Sequence, residues 1–98
     1  MISRQIEVHR GVDDPVGQFE VIIREQKNST RHHVVITRET LARIGRRRSP
    51  EEVIEASFRF LLDREAKEQI LERFDVAVIG RYFPEFEAEI GEYFARGT

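Results

Sequence analysis

Three histidines, a handful of serines, a run of arginines and many carboxylates are the residues here that could do chemistry. His32 and His33 are adjacent on a β-branched stretch, so on a strand their side chains point to opposite faces and cannot share a metal ion. No His-x-x-x-His or Asp-x-Asp loop occurs; His9, one of that pair, and Asp13 or Asp14 are the most the chain offers as ligands. There is no cysteine, which excludes thiolate metal sites, thiol nucleophiles and disulfides. The glycines are dispersed, as Gly11, Gly17, Gly45, Gly80, Gly91 and Gly97, and form no phosphate loop. A hydrolytic triad would have to use Ser29 or Ser57 with a histidine, and no base signature accompanies either. The carboxylates lie on solvated helix faces beside basic residues, with Glu51 and Glu55, or Asp63 and Lys67, as ordinary i, i+4 neighbours. The expectation is a protein that is not an enzyme, with no catalytic residue, no cofactor and no metal.

The elements that would position these residues fall into two halves. Gln5–His9 alternates weakly, with Ile6 and Val8 on one face. Gly11 to Gly17 carries an Asp-Pro pair and two glycines and reads as a turn. Phe19, Val21 and Ile23 then share one face of a second strand. Lys27-Asn28-Ser29-Thr30 is a polar connection of hairpin length, and His33–Thr37 is the partner strand. Thr37 can cap a short helix ending at Ile44, with Gly45 as a left-handed stop. Ser49-Pro50-Glu51-Glu52 is the strongest local signal: a capping serine, proline at the first helical position, and glutamate closing a capping box. The helix that follows is apolar at Val53, Ile54, Phe58, Phe60, Leu61 and Leu62. That is more than one stripe, which makes it the central helix, packed on several sides. Ile70, Leu71 and Phe74 suggest a further amphipathic helix. Asp75 caps a short turn carrying Val76, Val78 and Ile79; Gly80 weakens that turn and Pro84 stops it. In the last helix Phe86, Ile90 and Phe94 recur at i, i+4 and i+8, with glutamates facing away.

At 98 residues the chain is one domain, residues 1–98, able to bury roughly two-thirds of its unfolded surface without staples. The fold class is α+β. A small N-terminal antiparallel sheet of two or three strands, about 5–9, 18–25 and 32–37, is followed by a helical half, about 38–44, 50–65, 67–74, 76–82 and 84–95, packed on it. No apolar run is long enough to span a membrane. The opening MISRQIEVHR lacks the apolar core of a secretory signal, which predicts a cytoplasmic protein. Net charge is −2, but residues 1–49 hold ten basic against six acidic side chains and residues 50–98 hold six against twelve. The first reading of that asymmetry is two halves that attract each other, within one chain or across a dimer. The second is a basic binding face with an acidic tail.

The stretch from His33 to Phe58 resembles the ribbon-helix-helix pattern of small dimeric repressors and antitoxins. His33–Thr37 would be the ribbon, Glu39–Ile44 the first helix, Arg46-Arg47-Arg48-Ser49 the turn, and Val53–Phe58 the start of the second helix. The resemblance implies a dimer whose paired ribbons enter the major groove. His33, Val35 and Thr37 would lie on the DNA, with Arg46, Arg47, Arg48 and Ser49 at the phosphates. Phe19–Ile23 stands against this, as a strand of the same chain able to pair with the ribbon. The arginine run also lies in a loop between helices, where charges are solvated. Phe74, Tyr82, Phe83, Phe86 and Phe94 sit in the acidic half, away from the basic residues that a single-strand binder would set beside its stacking aromatics.

Tyr82, Phe83 and Phe86 gather around Pro84, as a core corner if buried and an interaction anchor if exposed. The sequence therefore reads first as a small non-enzymatic binding or regulatory module, with a protein partner met through Tyr82, Phe83 and Phe86, or a second copy of itself bound through an exposed part of the last helix. A DNA-binding repressor or antitoxin-like dimer is the alternative, and nucleic acid ranks below protein as a partner.

Overall fold

The computed structural model describes residues 4–11 and 17–96. Strands β1 (Gln5–Arg10), β2 (Gln18–Arg24) and β3 (Ser29–Val35) form an antiparallel meander, and a short β4 (Arg73–Asp75) adds in parallel to β3, giving the order β1-β2-β3-β4. The helical half comprises α1 (Arg38–Ile44), α2 (Pro50–Leu62), α3 (Ile79–Tyr82) and α4 (Phe86–Arg96), with single 3-10 turns at Lys67–Gln69 and Val76–Val78. The fold class read from the sequence stands.

Alternation sets the two faces of the sheet. Phe19, Val21, Ile23 and Val34 point toward the helices and are buried. The helix-free face carries Glu7, Glu20, Arg24, Arg31 and His33, with Arg24 on Glu7 at 2.5 Å and Arg31 near Glu20 at 3.6 Å. Ile22 lies buried among them. Against the inner face runs α2, and its Val53, Ile54, Phe58, Phe60, Leu61 and Leu62 are all buried. The predicted caps are present: Thr37 Oγ1 accepts from the Thr40 amide, Ser49 and Glu52 form a reciprocal capping box, and Asp75 accepts from the Ala77 amide. Phe86, Ile90, Tyr93 and Phe94 of α4 close the core.

Four details differ from the sequence reading. The sheet has four strands rather than two or three. Segment 67–74, expected as a helix, is one 3-10 turn followed by β4. The outer edge of β3 would otherwise leave its amides and carbonyls unpaired, and the chain returning from α2 supplies partners: the His33 amide donates to Glu72 O at 2.7 Å and His32 Nδ1 lies 2.8 Å from Leu71 O. Non-local pairing thereby overrides a short helical pattern. Lys67 accordingly does not reach Asp63. It is 3% exposed, held by Glu25 at 2.7 Å and Glu68 at 2.5 Å, and both carboxylates raise its pKa. Finally, Gly45 is right-handed (φ −78°) and the left-handed positions are Arg46 and Arg47. Glycine is required at 45 by space: a Cβ there would collide with Leu41 O and press on Val53 Cγ2 at 3.3 Å, where α1 meets α2.

Candidate functional site

The aromatic corner resolves into two parts. Phe86 is buried, with its ring 5.0 Å from that of Phe60. Phe83 is half-buried, edge-on to Phe60 at 5.9 Å. Tyr82 is 66% exposed. Tyr82 and Phe83 line a groove of about 270 Å³ whose other walls are Leu61 on α2 and Glu65 just after it, Gln69 and Leu71 before β4, Phe74 on β4, and Val78 and Ile79 at the start of α3. Leu71, 48% exposed, stands on its rim; it and Tyr82 are the large exposed hydrophobic residues of the described chain. Glu65 is the groove's acidic group. Burial raises its carboxyl pKa, and no arginine or lysine among the described residues is paired with it, whereas Glu85, Glu87 and Glu89 each meet an arginine. An apolar cleft with one convergent polar group can hold an apolar side chain and a neighbouring donor or cation.

A wider, shallower concavity of about 730 Å³ runs across all four strands on the helix-free face, among His9, Gln18, Glu20, His33, Val35, Arg73 and Asp75. The register sets His9, Glu20, His33 and Arg73 side by side across the four strands. His9 Nε2 is 3.3 Å from Glu7, and Glu20 faces Arg31, so the charges there are shared among neighbours. Among the described residues no group of three His, Asp or Glu side chains converges on a metal position, and Asp13 and Asp14 lie outside the described residues. The other histidine faces inward. His32 is 2% exposed; its Nδ1–H donates to Leu71 O, its Nε2 accepts from Thr30 Oγ1 at 2.9 Å, and its ring packs on Phe58 at 5.4 Å. Burial, opposed by the Leu71 carbonyl, lowers its pKa. Ser57 Oγ donates to Val53 O at 2.7 Å inside α2.

The residues of the ribbon-helix-helix resemblance are placed as follows. His33 is exposed on the helix-free face, Val35 is half-buried and Thr37 is the α1 cap. Strand β3, which would be the ribbon, is hydrogen-bonded on one side to β2 and on the other to β4 of the same chain. Ser49 is occupied as the α2 cap. Arg48 lies over the Phe94 ring at 5.1 Å and 3.7 Å from Glu52. The Arg46 guanidinium rests against Gly91 on α4, where a Cβ would collide with it. Arg43 binds Glu87 with two hydrogen bonds of 3.2 and 2.9 Å and lowers that carboxyl's pKa. Arg47 is exposed.

Sequence reasoning found Tyr82 and Phe83 from their clustering. It missed Leu71 and Glu65, which belong to the groove only because β4 folds back beside α3. It also missed Arg64, whose guanidinium lies 3.6 Å from the Phe60 ring centre and bonds to Glu85, Glu89 and the Phe60 carbonyl. Searches of protein-family models, of curated proteins and of solved structures find no match for the chain.

Proposed function

We propose that the protein is a small non-enzymatic binding module that docks a segment of a partner protein in the groove between β4 and α3. The observation that carries this reading is the coincidence of Leu71 and Tyr82, both strongly exposed, on the rim of one apolar cleft that also holds an unpaired carboxylate. Tyrosine and leucine at the mouth of a cleft floored by Leu61, Phe74 and Ile79 supply the apolar contact. Glu65, the acidic group of the groove, calls for a positive complement. The occupant that fits is a short segment with an apolar side chain next to a lysine or arginine. What supports this over the repressor alternative is that both edges of β3 are used within the chain and that Arg43 and Arg48 face acidic partners of their own.

A photo-crosslinking phenylalanine analogue at position 82, compared in native cells with one at exposed Glu92, tests it. The expected result is one protein captured at 82 and not at 92, whose purified affinity falls at least about tenfold for the Leu71→Ser/Tyr82→Ser variant. Identical capture at both positions, or an unchanged affinity, overturns the reading.

A further inference from the structure

The opposite edge of the sheet carries a second inference, independent of the groove. Strand β1 is six residues long, and no described segment pairs with its outer side. The other edge, β4, has three residues, a length that by itself blunts an edge. The direction of the β1 backbone follows from one bond. The Gly11 amide donates to Gln18 O at 2.7 Å, which makes Gly11–Gln18 a hydrogen-bonded pair of the antiparallel ladder. Such pairs alternate. With the register His9↔Glu20, Glu7↔Ile22 and Gln5↔Arg24, those residues turn their backbone groups toward β2. Ile6, Val8 and Arg10 turn theirs outward, unclaimed by any described strand.

We propose that β1 is a self-pairing edge, through which two copies join antiparallel about a two-fold axis at Val8. The outward residues then pair as Val8 with Val8 and Ile6 with Arg10 of the second copy, and each pair exchanges amide hydrogen bonds. This register places Glu7 of one copy opposite His9 of the other, in the closely spaced non-hydrogen-bonded position, on the helix-free face. A shift of one repeat toward the N-terminus would set Glu7 against Glu7, so charge selects the first register. Ile6 and Val8 are only half-buried in the single chain and would be covered. Beside them opens a recess of about 250 Å³ lined by Ile6, Arg59, Leu62 and Tyr93. Arg59 Nε on this flank is a buried donor with no acceptor among the described residues. Pairing also brings the two α2 flanks together antiparallel, so that Glu55 and Arg59 at the seam can meet their opposites.

The chain has no cysteine, so a single introduced one can form a disulfide only between copies. Sedimentation equilibrium of the natural protein at about 100 μM is expected to give twice the monomer mass, a weak but specific association. Val8→Pro removes an outward amide that β2 does not use, so it should give a monomer with the parent's circular dichroism. Val8→Cys should crosslink under mild oxidation and Glu7→Cys should not, because position 7 faces position 9 of the other copy. Glu7→Lys should weaken the dimer at least about tenfold, and Glu7→Lys/His9→Glu should restore it. This charge-swap rescue keeps the test decisive if Val8→Pro fails to fold. A natural protein that stays monomeric at several times that concentration, preferential crosslinking at position 7, or no rescue by the swap would overturn the proposal.

Discussion

Replacing Arg64 should be costly for a charged residue that is partly open to solvent. Its side chain is 21% exposed, and its guanidinium lies 3.6 Å from the centre of the Phe60 ring. A partly desolvated cation over an aromatic face is worth about 1 kcal/mol. Nε bonds to Glu85 at 3.0 Å and Nη2 to Glu89 at 2.8 Å. Those carboxylates are 41% and 40% exposed, so solvent screening limits each pair to about 0.5–1 kcal/mol. Nη1 donates to the Phe60 carbonyl near the end of α2 at 3.2 Å, which adds about 1 kcal/mol. Arg64→Ala should therefore destabilise by roughly 3–4 kcal/mol. Arg64→Lys keeps the charge but loses the planar fork that reaches both glutamates and the ring at once, and should still cost roughly 1–2 kcal/mol. Urea denaturation followed by circular dichroism gives both values, with an unchanged m-value if the unfolded state is unaffected. An alanine variant within about 0.5 kcal/mol of the parent, or a lysine variant indistinguishable from it, would refute the view that Arg64 fastens α4 to α2.

The buried His32 should make stability pH-dependent in a defined window. Its folded pKa is lowered, so the native state binds fewer protons than the unfolded one. Its contribution is complete above the unfolded value of about 6.5 and is lost as pH falls below that, by at most about 1.4 kcal/mol per pH unit. Thermal melts between pH 5 and 8 should slope more steeply for the parent than for His32→Gln, and equal slopes would exclude this role. Two glycines should respond oppositely: Gly45→Ala should cost about 1–3 kcal/mol through overpacking, while Gly80→Ala, with open space around its Cβ in α3, should gain about 0.5–1 kcal/mol. Chemical denaturation of the two variants checks both signs. Random duplex DNA at about 50 mM salt should bind no tighter than roughly 100 μM, with no change in an Arg46/Arg47/Arg48→Ala variant. Micromolar binding in fluorescence anisotropy, steeply salt-dependent and lost in that variant, would restore the repressor reading.

What was legible in the sequence was local. Ser49, Pro50 and Glu52 specify a helix start within four residues, and Thr37 and Asp75 act on amides two or three positions away. The i, i+4, i+8 recurrence of Phe86, Ile90 and Phe94 needs only the helix period to predict a buried face, and all three are buried. The parts that were not legible depend on residues far apart in the chain. β4 exists because β3 offers an unpaired edge, and nothing within Arg73–Asp75 states that. Lys67 is buried because Glu25, on the hairpin between β2 and β3, reaches it. The groove needs Glu65 and Leu71, at the two ends of the stretch between α2 and β4, to converge with Tyr82 of α3, so its carboxylate looked like one of many on a solvated face. Gly45 carried the right residue for a left-handed stop, but the close approach of Leu41 and Val53 accounts for it.

The arginine run shows most clearly how composition can mislead. A basic half and an acidic half are visible by counting, but counting does not say where each guanidinium goes. Here Arg43 at the end of α1 spans to Glu87 and Arg46 in the following loop lies along Gly91, so α1 and the turn after it lie against the acidic α4. Arg10 likewise reaches Glu51 at the start of α2 with two bonds of 3.0 Å. The asymmetry along the chain thus becomes attraction between the halves in space. The same guanidiniums cannot be counted twice. One held by two hydrogen bonds to Glu87 has to give up that carboxylate before it meets a phosphate, and the acidic helix beside it repels the approaching backbone. Both effects lower the affinity that a free cluster of the same composition would have for DNA.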